Sequence, residues 1–123
     1  MNIALVGIGG ALGAIARYLL GEAMLSFVGP GFPYGTWLIN LSGSLLLGVL
    51  SGLAVAKSDS PVELVLFATV GFLGAYTTFS TVTIESLNLM RQGTYGLAFI
   101  NSVGQILVGI AAAGLGFYLG SKV

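Results

Sequence analysis

The residues able to do chemistry in this chain are few, and most are uncharged. The stretch Gly71-Phe72-Leu73-Gly74-Ala75-Tyr76-Thr77-Thr78-Phe79-Ser80-Thr81 holds two glycines and five hydroxyl side chains. Thr36 and Asn40 stand four apart, as do Asn101 and Gln105, with Ser102 beside them. On a helix that spacing places each pair on one face, a turn apart. Hydroxyls and carboxamides offer O–H and N–H donors without changing charge. The N–H donors of Asn40, Asn101 and Gln105 suit an anion. His and Cys are both absent. Zinc sites, thiol nucleophiles, disulfides and imidazole bases are therefore excluded.

The elements that must position these groups are apolar. Charged residues make up 7% of the chain and hydrophobic ones 56%. A soluble domain has about 25% charged residues, so too little charge is present to cover a water-facing surface. The net charge is zero, which leaves no basic patch for nucleic acid. Four apolar spans are expected, over about residues 2–21, 36–56, 61–88 and 94–120. Each meets the ~20 residues that a helix needs to cross a bilayer. Together they make a single four-helix membrane domain over 1–123, all-α in class. The first span has no basic leader and no small-residue cleavage site, and is read as a membrane helix. Glu22 to Gly35 reads as a surface turn through Pro30, Gly31 and Pro33. Asp59 or Ser60 is expected to cap the third helix, with Pro61 as its first residue.

The hydroxyl cluster falls inside the third span. Gly and β-branched Thr weaken a helix, and hydroxyls offer the backbone other partners. A broken helix is expected there rather than an intact one whose hydroxyls bond to carbonyls one turn back. Breaks at membrane depth are tolerated inside protein or beside a wet cavity. Freed carbonyls can bind a cation, and a half-helix N-terminus can face an anion. Arg17 and Glu22 fall near the end of the first span, and Glu85 toward the end of the third. Small residues recur four apart at Gly9 and Gly13, Gly10 and Ala14, Ser44 and Gly48, Gly48 and Gly52, Ala112 and Gly116, and Gly116 and Gly120. That spacing serves close packing within the bundle or between two copies. Four spans put both termini on one side, with Lys57 and Lys122. Arg91 and Arg17 are assigned to the other side, giving two against two. Insertion is oriented by an excess of Lys and Arg in cytoplasmic loops. Without one, insertion in both directions and an antiparallel pair are expected.

Three segments carry a resemblance to a known family. They are Gly9-Gly10-Ala11-Leu12-Gly13-Ala14-Ile15-Ala16-Arg17-Tyr18, Gly35-Thr36-Trp37-Leu38-Ile39-Asn40-Leu41-Ser42-Gly43-Ser44, and the Gly71 to Thr81 stretch. In order and spacing they resemble the Fluc fluoride channels, also called CrcB, over essentially the whole chain. The resemblance implies a fluoride-selective channel that exports fluoride passively across the inner (cytoplasmic) membrane and gives fluoride resistance. It implies an antiparallel dual-topology dimer with two fluoride pathways. It also implies a structural Na⁺ at the dimer centre, held by the carbonyls of Gly74 and Thr77. The pathway residues it implies are Asn40, Phe79, Thr36, Ser80, Thr81, Asn101 and Gln105, with Arg17 and Glu85 at a vestibule. Val82 stands where the family commonly has a second phenylalanine. The dimer is then either a homodimer content with one aromatic per chain or a heterodimer with a paralogue.

The residues also admit two other readings. A small dual-topology proton-coupled multidrug exporter needs an ionisable carboxylate in the bundle, and the first span has no acid before Glu22. A subunit that only packs against partners would not need the polar groups around Thr77 and Asn40.

Overall fold

Helices account for nearly all of the chain, because in lipid each backbone polar group must be satisfied within its own segment. The computed structural model describes residues 2–57 and 61–123. Helix α1 is Asn2–Val28 and α2 is Tyr34–Ala56. Residues 62–76 form α3, and α4 is Phe79–Arg91. Helix α5 is Tyr95–Gly120. Four spans are long and apolar enough to cross a membrane, α3 and α4 together making the third. The proposed capping residues Asp59 and Ser60 lie outside the described residues. Pro61 precedes the third span, whose first helical residue is Val62.

The first helix continues past the Gly21 end expected from sequence and stops at Val28. Gly29 follows at φ +79° and donates its N–H to the Leu25 carbonyl. A glycine in this left-handed conformation is a common helix stop. Glu22 is therefore part of α1 and not of a loop. At the α4–α5 turn Gly93 has φ +76°. Thr94 N–H closes on the Leu89 carbonyl at 3.0 Å, the six-to-one bond of a Schellman turn.

Three of the six small-residue pairs, Gly9 and Gly13, Gly48 and Gly52, and Gly116 and Gly120, pack closely within the chain. An added Cβ on Gly48 would run into the Ala113 carbonyl, and one on Gly116 into the Leu45 carbonyl. Gly52 and Gly120 stand in the same relation to the Phe117 and Val49 carbonyls. Helices α2 and α5 therefore touch backbone to backbone over two turns. Gly9 and Gly13 do the same for α1 against the Phe67 and Phe72 carbonyls of α3. Most large apolar side chains face outward, as Ile3, Leu19 and Ile110 do. The buried core is small, centred on Ile39, Leu73 and Tyr76.

Two stretches are wound as π-helix, Leu66–Leu73 in α3 and Ile100–Gly104 in α5. The third span then breaks. Thr77 (ψ 158°) and Thr78 (φ −151°, ψ 121°) are extended, and the helix restarts at Phe79. The Gly43 position has no room for a Cβ, which would meet the Thr77 methyl and the Tyr76 ring. Helix α2 can thus lie against the break only because Gly43 has no side chain.

Candidate functional site

The break releases main-chain groups, and polar side chains take them up. In an unbroken helix Thr78 N–H would close on the Gly74 carbonyl. It donates instead to Asn40 Oδ1 at 2.8 Å. Asn40 Nδ2 returns a bond to the Thr78 carbonyl at 3.0 Å. One carboxamide thus clasps both polar groups of a single residue, as a neighbouring strand would. Thr78 Oγ1 accepts from Thr81 N–H at 3.3 Å and caps α4. The Thr77 carbonyl lies 3.5 Å from Arg17 Nη1.

From Asn40 a chain of carboxamides runs into α5. Asn40 Nδ2 donates to Gln105 Oε1 at 2.5 Å. Gln105 Nε2 donates to Asn101 Oδ1 at 3.2 Å. Asn101 Oδ1 also accepts from Trp37 Nε1 at 3.0 Å, and its Nδ2 donates to Ser86 Oγ at 3.1 Å. Asn101 is fully buried and Gln105 nearly so. The energetic logic is that of a dry interior. A buried polar group without a partner costs about 1–3 kcal/mol, so these groups are locked to one another.

Two cavities flank the break. One, of about 380 Å³, is lined by Asn40, Thr77, Thr78, Phe79, Val82 and Gln105, with apolar residues of α2 and α5 beyond. The other, of about 330 Å³, is lined by Arg17, Glu22, Thr36, Thr78, Thr81 and Glu85 among others. Thr78 borders both. In the second cavity Thr36 Oγ1 donates to Glu85 Oε1 at 2.5 Å. Glu85 Oε2 is buried and has no hydrogen-bond partner among the described residues.

Most residues singled out from sequence meet at these two cavities: Asn40, Phe79, Gln105 and Thr77 at the first, Thr36, Thr81, Arg17 and Glu85 at the second. Phe79 is 71% exposed in the single chain, so its ring is not core packing of this subunit. Ser80 is also exposed, with its hydroxyl 3.4 Å from that of Thr78. Asn101 lines neither of these two cavities and stands buried behind Gln105, which donates to its Oδ1. Arg17 sits well inside α1 and reaches the break, so it leaves the loop charge count. That count becomes Lys57 and Lys122 against Arg91.

Sequence reasoning passed over Thr78 as a separate residue, together with Trp37, Ser86 and Gly43. An indole N–H in a membrane helix needs an acceptor, and that need was the available signal for the Trp37–Asn101 bond.

The family model described as "CrcB-like protein, Camphor Resistance (CrcB)" matches residues 4–117. A "Fluoride-specific ion channel FluC" of Magnetococcus marinus is 44% identical over 123 residues, all of both chains. Proteins of the same description from Agrobacterium fabrum and Hydrogenobaculum sp. are 39% and 42% identical. The first aligns with 100% of this chain and 98% of its own, the second with 98% of each. With four apolar spans, a broken third span and this full-length similarity, the chain is a multi-pass membrane protein and belongs to the CrcB family.

Proposed function

We propose that this chain forms a fluoride-selective channel that lets fluoride leave the cell passively across the cytoplasmic membrane and so confers fluoride resistance. The relatives' description supports it. The observation that carries it is the broken third span, with one residue, Thr78, bordering a cavity on each side. Fluoride is small and strongly hydrated, so a path through lipid must replace its water with donors. Thr36, Thr78, Thr81, Asn40 and Gln105 supply uncharged donors along the two cavities. The N-terminus of α4 adds the positive end of a helix dipole at the break. The edge of a phenyl ring is positive, so Phe79 can carry the anion past a stretch without amides. Arg17 and Glu85, which line the second cavity, would form its vestibule.

The working unit in this reading is an antiparallel dimer. The 71% exposure of Phe79 and the open groove beside it support a second subunit there. The nearly balanced loop charges support insertion in both orientations. A structural Na⁺ at the dimer centre would be held by the Gly74 and Thr77 carbonyls of both subunits. The donor set suits it. The Gly74 carbonyl loses the Thr78 N–H to Asn40, and hard monovalent cations take uncharged carbonyl oxygens. The Thr77 carbonyl has a second lone pair beyond the one turned to Arg17. The ion would offset repulsion between facing carbonyls. The side chains that clasp the break, Asn40 and the Gln105 behind it, are carboxamides, which cannot cycle a proton as an exporter's carboxylate must; the carboxylates Glu22 and Glu85 line the second cavity.

The test is fluoride efflux from liposomes containing the purified chain. Electrogenic fluoride efflux with chloride retained is expected. A folded, reconstituted protein that passes no fluoride refutes the reading for the chain alone, and flux restored by a paralogue marks it as half of a heterodimer.

A further inference from the structure

The direction of every bond in the Asn40–Gln105–Asn101 chain is forced. The Thr78 N–H can only donate and its carbonyl only accept, so Asn40 must turn Oδ1 to the first and Nδ2 to the second. The remaining Nδ2 proton points at Gln105, which must present Oε1. From the other end, the Trp37 indole only donates, so Asn101 presents Oδ1 to it. Gln105 Nε2 then donates to that same oxygen. The backbone agrees. In the π-turn Gln105 N–H closes on the Ile100 carbonyl, which frees the Asn101 carbonyl, and Gln105 Nε2 covers it at 3.4 Å. Turning the Gln105 amide over would set its oxygen against two oxygens of Asn101.

An anion that reaches Asn40 therefore finds both N–H groups engaged, and one of their acceptors must yield. The Thr78 carbonyl is main chain, clasped at the break. Gln105 Oε1 is the end of a flexible side chain beside a cavity of about 380 Å³. We propose that Gln105 competes with the anion for the Asn40 N–H, and so sets how tightly the site holds it. This rests on the fluoride reading above. Only an acceptor stronger than a carboxamide oxygen displaces Gln105. Fluoride, small and hard, is such an acceptor, and chloride, larger and more diffuse, is a weaker one. Through Nε2, Gln105 stays tethered to Asn101 while displaced, and it closes again once the anion has left.

The test uses the full chain in nanodiscs and liposomes, with Gln105→Met, which keeps length and removes the carboxamide. The side-chain amide signal of Asn40 is followed by NMR during a sodium fluoride titration. Its midpoint should fall about fivefold in the variant, equivalent to ~1 kcal/mol or one net hydrogen bond. The same factor should apply to any anion that binds at Asn40, because the cost of displacing Gln105 is common to all of them. A second arm needs no variant: in the unsubstituted protein the Gln105 Cδ signal should move in step with the Asn40 amide. If the unsubstituted protein conducts fluoride while Gln105 Cδ stays still, or the midpoint is equal or higher in Gln105→Met, Gln105 is a brace and the competition is refuted. Unsubstituted liposomes that pass no fluoride refute the channel reading, and the competition falls with it.

Discussion

Replacing Asn40 by alanine tests whether the carboxamide holds the break together. The substitution removes three hydrogen bonds, two to Thr78 and one to Gln105. Thr78 N–H and C=O would be left at membrane depth without partners. Hydrogen bonds between membrane helices are worth about 0.6 kcal/mol each on average, which gives a floor of roughly 2 kcal/mol. Two main-chain groups left dry would cost about 1–3 kcal/mol each, which gives a ceiling of roughly 6. The expected loss of stability, measured by unfolding in mixed micelles, is therefore about 2–6 kcal/mol. Thr78 amide exchange reads the same event locally, and protection there should be lost in Asn40→Ala. A stability change below about 0.5 kcal/mol, well under one unpaired buried group, with Thr78 protection intact would refute the clasp. Asn40 would then matter to the permeant ion alone.

Phe79→Ile keeps bulk but removes the polarised ring edge. Because Phe79 is 71% exposed in the subunit, the protein should stay folded with fluoride flux greatly reduced, checked by liposome efflux beside size-exclusion profiles. Gly48→Ala forces a methyl against the Ala113 carbonyl and should cost about 1–3 kcal/mol of stability. Gly7→Ala, with open space around it, should be neutral or stabilising in the same unfolding assay. A C-terminal tag on the chain expressed alone should be labelled from both sides of the membrane, and labelling from one side only would rule out dual topology. Removing Na⁺ from the purified protein should destabilise the dimer, read as dissociation in size exclusion, with Li⁺ and K⁺ restoring it less well.

Much of this was legible in the sequence because membranes simplify the code. A run of about 20 apolar residues must be a helix in lipid, so the four spans could be marked without any structure. The break was legible too, since glycines beside adjacent threonines and a serine make a poor helix and a good set of alternative partners. Two things were not. Glu22 reads as the end of a span, yet α1 carries it to the edge of a polar cavity and continues to Val28. Charge marks a helix end only where the residue would otherwise face lipid. Asn101 and Gln105 look alike in sequence, four apart on one face, yet one is a buried brace and the other lines a cavity. Asn101 lies inside the π-turn at Ile100–Gly104 and Gln105 just after it. The extra residue of that turn shifts the helix faces assigned at 3.6 residues per turn, although the two side chains still meet.

That wide turn and the broken helix solve complementary problems. The break at Thr77 and Thr78 creates a surplus of main-chain groups at membrane depth, and Asn40 absorbs those of Thr78. The π-turn frees the Asn101 carbonyl, and Gln105 covers it while turning its own oxygen toward Asn40. The two irregularities are therefore joined by one hydrogen bond, Asn40 to Gln105, between the clasp on the break and the brace on α5. Each end of that bond is held by groups that can only donate or only accept, so the pair cannot reverse its polarity. It can only open. A link that is fixed in direction yet broken by displacing one side chain lets a neutral site admit a strong acceptor and close again behind it.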